Sequence, residues 1–129
     1  MKPEYLNGID NAPKAVGPYS QAVKCGNLIF LSGQIALNPE TGQLIGPGIE
    51  EQTEQVLKNI KAVLTSQNLD FSDVVKTTIF LTDLSHFKTV NGLYEKWLGE
   101  SKPARSTIQV AGLPLGSIVE IEMIALSSN

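Results

Sequence analysis

Between residues 49 and 64, Ile49, Thr53, Val56, Leu57, Ile60, Val63 and Leu64 recur at three- and four-residue intervals, which predicts a helix from Ile49 to about Asn68. Glu50, Glu51 and Glu54 stand in its first turns and Lys58 and Lys61 follow, an order that complements the helix dipole. Gly46-Pro47-Gly48 stops any strand before it. A second helix carries Phe87, Val90, Tyr94 and Trp97 on one face, with Asp83 or Ser85 as its cap and Pro103 beyond its end. Residues 19–25 and 28–35 flank Gly26-Asn27, the chemistry of a tight antiparallel hairpin. Residues 73–82 are rich in β-branched side chains, and 105–110 and 117–126 complete a sheet. Asn38-Pro39-Glu40-Thr41-Gly42 reads as a turn, and residues 1–18, broken by Asn11-Ala12-Pro13 and Gly17-Pro18, as an ordered arm or loop. The predicted order is β-β-α-β-α-β-β, an α+β fold.

The last strand does not alternate simply. Val119, Ile121, Met123 and Ala125 share one face, yet Ile118, Ile124 and Leu126 lie on the other. Val74 to Leu81 is likewise apolar on both sides. Two helices cover only one sheet face. The second face is therefore expected to be buried against other subunits, because a monomer would expose a larger apolar patch than soluble proteins usually carry. Scattered exposed aliphatics are the blander alternative.

The length of 129 residues and the 42% hydrophobic content suit one core, so residues 1–129 are read as a single domain. No apolar run of transmembrane length occurs, and Met1-Lys2-Pro3-Glu4-Tyr5 lacks the apolar core of a signal peptide, so the expected location is cytoplasmic. One cysteine, Cys25, cannot form an internal disulfide, and with a single histidine, His86, a zinc site is not expected. The net charge of -3 and the scattered basic residues argue against nucleic-acid binding.

Few residues remain that suit chemistry. Arg105 opens a strand after a proline and can present its planar fork to a carboxylate or phosphate, or can serve as an ordinary surface arginine. Glu120 and Glu122 lie two apart, on one strand face with Ile118 and Ile124. Such partial desolvation raises a carboxyl pKa and suits general acid/base work, while pairing with a cation at a subunit boundary is the other reading, which fits Glu122 better. Ser32-Gly33-Gln34 ends a strand where a glycine lets a ligand approach the backbone, and Tyr19 can stand over a pocket or pack. Asn91 shares the face of Phe87 and Tyr94 and needs a hydrogen-bond partner. His86 and Cys25 form no catalytic constellation, and no phosphate-binding or dinucleotide motif occurs.

Several blocks together carry a family resemblance: Asn11-Ala12-Pro13, Gly17-Pro18-Tyr19-Ser20-Gln21, Ser32-Gly33-Gln34-Ile35, Asn38-Pro39 with Thr41-Gly42, Val75-Lys76-Thr77-Thr78, Val90-Asn91 with Tyr94, Pro103-Ala104-Arg105-Ser106 and Val119-Glu120-Ile121-Glu122. Over residues 8 to 127 the chain resembles the Rid (YjgF-type) family of enamine/imine deaminases, RidA subgroup. The resemblance implies a chorismate-mutase-like fold assembled as a homotrimer with active sites between subunits. It also implies cofactor-free, metal-free hydrolysis of 2-imino acids, released by PLP-dependent dehydratases, to 2-keto acids and ammonia. By the same resemblance, Arg105 holds the substrate carboxylate and Glu120 activates the attacking water. Tyr19, Ser32 and Asn91 shape the cleft, and backbone groups near Gly33 and Thr107 assist. Thr107 stands where many members have cysteine, so a thiol-based activity is not expected there. A small-carboxylate-binding module, and less so a ribonuclease or chaperone-like role, are the alternatives.

Overall fold

The computed structural model describes residues 2 to 127. Gly26 takes a φ of 62°, a left-handed conformation open to glycine, and with Asn27 it turns β2 (Ala22–Cys25) directly into β3 (Leu28–Gln34). After the loop centred on Asn38, where the Asn38 side chain accepts from the backbone N–H of Glu40 at 2.8 Å, α1 runs over Ile49–Ser66. Its first turn is closed by Glu51, whose carboxylate accepts from the Gly48 N–H. It ends two residues earlier than its pattern predicts, because Asn68 takes a left-handed φ of 61° while the Gln67 and Asn68 N–H groups close the last turn.

A short 3₁₀ turn at Phe71–Asp73 leads into β4 (Val74–Leu81). Asp83 does act as a cap, but of a second 3₁₀ turn, Leu84–His86, which then passes into α2 (Phe87–Leu98). Gly99, with a φ of 62°, stops α2. β5 (Ala104–Gln109) and β6 (Val119–Leu126) follow.

The opening segment differs from expectation. Residues 4–6 form a strand, β1 (Glu4–Leu6), that pairs antiparallel with β2, so the arm is partly sheet and the order gains a leading strand. Three residues are too few to show a period, and only the unpaired edge of β2 makes them a strand. The first hairpin strand also starts at Ala22 rather than at Tyr19. Gln21, almost fully buried, uses its groups to hold the arm: its N–H donates to Asn7 Oδ1, its Oε1 accepts from the Ile9 N–H, and its Nε2 donates to the Pro13 carbonyl.

The sheet order is β1-β2-β3-β6-β4-β5, antiparallel except for the parallel β4–β5 pair. Both helices lie on one face. Val119, Ile121, Met123 and Ala125 of β6 and Ile79 and Leu81 of β4 are buried there with Val56, Leu57, Ile60, Val63 and Leu64 of α1. Each large side chain so buried contributes about 1.5–3 kcal/mol of transfer free energy. The other face is uncovered: Phe30 is 41% exposed, Leu126 49% and Ile108 45%.

Candidate active site

Arg105 lies in β5 at the sheet edge. Its register partner on β4 is Thr77, which is buried on the helix side, so the Arg105 side chain also turns toward α2. Phe87, Asn91 and Tyr94, at i, i+4 and i+7 on one helix face, receive it there. Arg105 Nη1 donates to Asn91 Oδ1 at 2.7 Å, and the guanidinium carbon lies 5.0 Å from the centre of the Tyr94 ring and 5.7 Å from that of Phe87. Its other N–H groups meet no acceptor among the described residues. The Tyr94 hydroxyl donates to Thr77 Oγ1 at 3.0 Å. Burial pushes the Tyr94 pKa up, against smaller lowering effects of the Thr77 bond and the Arg105 charge, so the phenol remains a donor. A pocket of about 380 Å³ opens beside these groups, bordered also by Lys102 and Pro103.

Glu120 is placed differently. Its neighbours Val119 and Ile121 face the helices, so Glu120 leaves β6 by the uncovered face, as does its register partner Phe80. There it lies against Gly33, where the β3–β6 register shifts. A Cβ at residue 33 would collide with Glu120 Oε2, so this carboxylate position requires glycine. Burial, and secondarily the charge of Glu122, raise the Glu120 pKa above its ordinary value. No hydrogen-bond donor meets the carboxylate among the described residues, which leaves it free to take a proton from water.

Around Glu120 opens a groove of about 1020 Å³ whose wall includes Val16, Tyr19, Ser32, Ile35, Leu115 and Glu122. The Tyr19 ring covers Gly17, and its oxygen accepts from the Val16 N–H at 3.4 Å. Ser32 Oγ donates to the Ser20 carbonyl at 2.5 Å, which commits its proton to holding the strand start and leaves its lone pairs for a ligand. Leu115 stands 70% exposed with a left-handed φ of 57° at the groove rim.

The residues expected from the sequence therefore fall into two groups. Tyr19, Ser32, Gly33 and Glu120 gather in the groove, whereas Arg105 and Asn91 meet on the helix side. Thr107, the partner of Ile79 in β4, shares the side of Arg105, and its Oγ1 is buried without a partner among the described residues. Glu122 joins Glu120 on the uncovered face and is exposed in the single chain. Within one chain, Arg105 and Glu120 are separated by the sheet. His86 and Cys25 line neither pocket. Among the described residues no group of three or more His, Cys, Asp and Glu gathers to hold a metal, and no helix is long and apolar enough to cross a membrane.

Sequence reasoning assigned Phe87 and Tyr94 to the core face of α2 and missed their contact with Arg105. The i, i+4, i+7 spacing around Asn91 was the available signal. Leu115 gave none, since a left-handed leucine has no local signature.

A family model described as Endoribonuclease L-PSP matches residues 9–127. The Arabidopsis thaliana protein named Reactive Intermediate Deaminase A, chloroplastic, is 56% identical over 116 residues, which cover 90% of this chain and 62% of that protein. The chain thus spans less than two-thirds of that relative's length. The Mus musculus 2-iminobutanoate/2-iminopropanoate deaminase is 50% identical over 115 residues, 89% of this chain and 85% of the mouse protein. The crystal structure of E. coli TdcF with bound serine superposes with a TM-score of 0.90 at 38% identity, covering 97% of this chain and 100% of that one. With half of its residues shared with such relatives over nine-tenths of its length, the chain belongs to the Rid (YjgF-type) family, whose sequence model carries the Endoribonuclease L-PSP description.

Proposed function

We propose that the protein is a cofactor-free deaminase that hydrolyses 2-imino acids such as 2-iminobutanoate and 2-iminopropanoate to 2-keto acids and ammonia. The observation that carries this reading is the Glu120 carboxylate, half-buried against Gly33, raised in pKa and without a donor among the described residues, in a groove wide enough for a small acid. Names of relatives point the same way.

In this reading Arg105 holds the substrate carboxylate with its uncommitted donors, a charge-assisted contact. Glu120 takes a proton from a water whose oxygen bonds to the imine carbon. The same carboxyl then returns the proton to nitrogen. That gives a carbinolamine; Glu120 next takes its hydroxyl proton and passes it to the nitrogen, so the C–N bond breaks as the carbonyl forms, ammonia leaves and the carboxylate is regenerated. Tyr19, Ser32 and Asn91 border the ligand, and backbone groups near Gly33 and Thr107 assist.

Because the sheet separates Arg105 from Glu120 within one chain, the reading requires Arg105 of one copy to meet Glu120 of another. A homotrimer of single-domain chains packed through the uncovered face supplies that arrangement, and the exposed Phe30, Ile108 and Leu126 give it an apolar surface to bury. The substrate class would come from PLP-dependent dehydratases, in a cytoplasmic setting.

A small-carboxylate-binding module is the second reading, favoured by the fact that the Arg105 pocket is built by one chain without Glu120. An endoribonuclease finds less support, since a net charge of -3 offers no basic track for phosphates. The test couples threonine dehydratase and threonine with semicarbazide, which traps free imine. Wild type is expected to suppress the semicarbazone, and Arg105→Ala and Glu120→Ala are not. An unchanged semicarbazone signal with wild type, together with Arg105-dependent binding of 2-oxobutanoate, would transfer the reading to the binding module.

A further inference from the structure

An arginine that must recognise a carboxylate has a difficulty of its own: a long flexible side chain loses rotamer freedom when the ligand fixes it, and that loss subtracts from affinity. Arg105 is already fixed. Asn91 takes one Nη1 donor at 2.7 Å, and the rings of Tyr94 and Phe87 lie 5.0 and 5.7 Å from the guanidinium carbon, within cation–π range. Tyr94 is itself held by its hydroxyl bond to Thr77, the register partner of Arg105, so strand, helix and ring form a closed loop of contacts. Phe87 is 40% exposed at the start of α2, and its contact with Arg105 accounts for an aromatic there that core packing does not.

We propose that Phe87 and Tyr94 are positioning residues that hold the Arg105 fork ready for a carboxylate, so that affinity for the acid end of a ligand depends on both rings. The proposal rests on the reading of Arg105 as the carboxylate site. Neither ring needs to touch the ligand. Their effect should therefore follow the ligand's negative charge and leave the rest of its binding alone.

The experiment compares binding of 2-oxobutanoate with that of its neutral amide, 2-oxobutanamide, by ligand-observed NMR on wild type, Phe87→Leu, Tyr94→Leu and Phe87→Trp. Loss of either ring is expected to weaken the acid about three- to tenfold, with the amide unmoved and Phe87→Trp restoring the acid. Tyr94 is buried and its replacement perturbs packing, so the exposed Phe87 is the decisive position. Acid affinity unchanged in Phe87→Leu, acid and amide weakened equally, or wild-type acid binding indifferent to Arg105→Ala would each overturn the proposal. Imine hydrolysis, followed separately with semicarbazide, keeps the two readings apart. Wild type that binds the acid through Arg105 but hydrolyses no imine would end the deaminase reading and leave the aromatic clamp standing.

Discussion

The Arg105 pocket and the Glu120 groove are built from strands of one sheet, yet they differ in how complete they are. On the helix side, Arg105 is clasped by three side chains of α2, and one of them is tied back to β4. Over the uncovered face, Glu120 has a glycine beneath it, a second carboxylate beside it and no donor among the described residues. One pocket is furnished by a single chain, whereas the other, in the proposed reading, is half of a site shared between copies. A covered sheet face can assemble a rigid charged group because helices bring partners to it. An open face can only offer what its strands carry, and the proposed reading takes the remainder from a second copy.

The sharpest way to break this comparison is to separate its two halves genetically. Arg105→Ala and Glu120→Ala are each expected to lower imine hydrolysis by roughly a hundredfold or more, the scale of a lost charged contact or general base. Co-refolding the two inactive variants in equal amounts should recover about a quarter of wild-type activity, the statistical share of interfaces that join an intact Arg105 to an intact Glu120. No recovery would sink the shared-site arrangement.

Gly33→Ala probes the groove alone. The added Cβ displaces the Glu120 carboxylate, and a displacement of about an ångström is expected to cost on the order of a hundredfold in turnover. Binding of 2-oxobutanoate at Arg105 should change much less. Equal losses in both would mean that the two pockets are not as independent as their geometry makes them.

Phe30→Asp places a charge on the uncovered face, away from both pockets. We expect native mass to shift toward smaller species and activity to fall about tenfold at low protein concentration, with recovery as concentration rises. A variant that stays active as a monomer would contradict the requirement for a second copy.

The smallest effect is on stability. The Glu120 pKa is raised by folding, so its contribution to stability is fully present below the unfolded value and is lost as pH rises through the folded one. Glu120→Gln removes that loss, and calorimetry should show a melting temperature about 1–3 °C above wild type near neutral pH and no gain in acid. The rate of hydrolysis should have the opposite dependence, rising as pH carries Glu120 through its elevated pKa into the ionised form.

Some of this was open to a reader of the sequence. The amphipathic stripe of α1, the Gly26-Asn27 turn and the β-branched run of β4 are local patterns with local causes, and each element forms close to where its pattern lies. Asn91 on the face of Phe87 and Tyr94 signalled a polar group in need of a partner, and Arg105 is that partner. β1 was not legible, because three residues become a strand only when β2 offers them an edge. Nor was the shift of the first strand start to Ala22, which follows from Gln21 spending its hydrogen bonds on the arm.

By itself, then, the sequence determined which residues could be helix, strand and turn, and which few side chains were suited to chemistry, since these depend on neighbours a few positions away. Only the tertiary structure decided that Arg105 and Glu120 leave the sheet by opposite faces. A side chain's face is set by pairing register, and register joins residues far apart in the chain: Arg105 to Thr77, and Glu120 to Phe80.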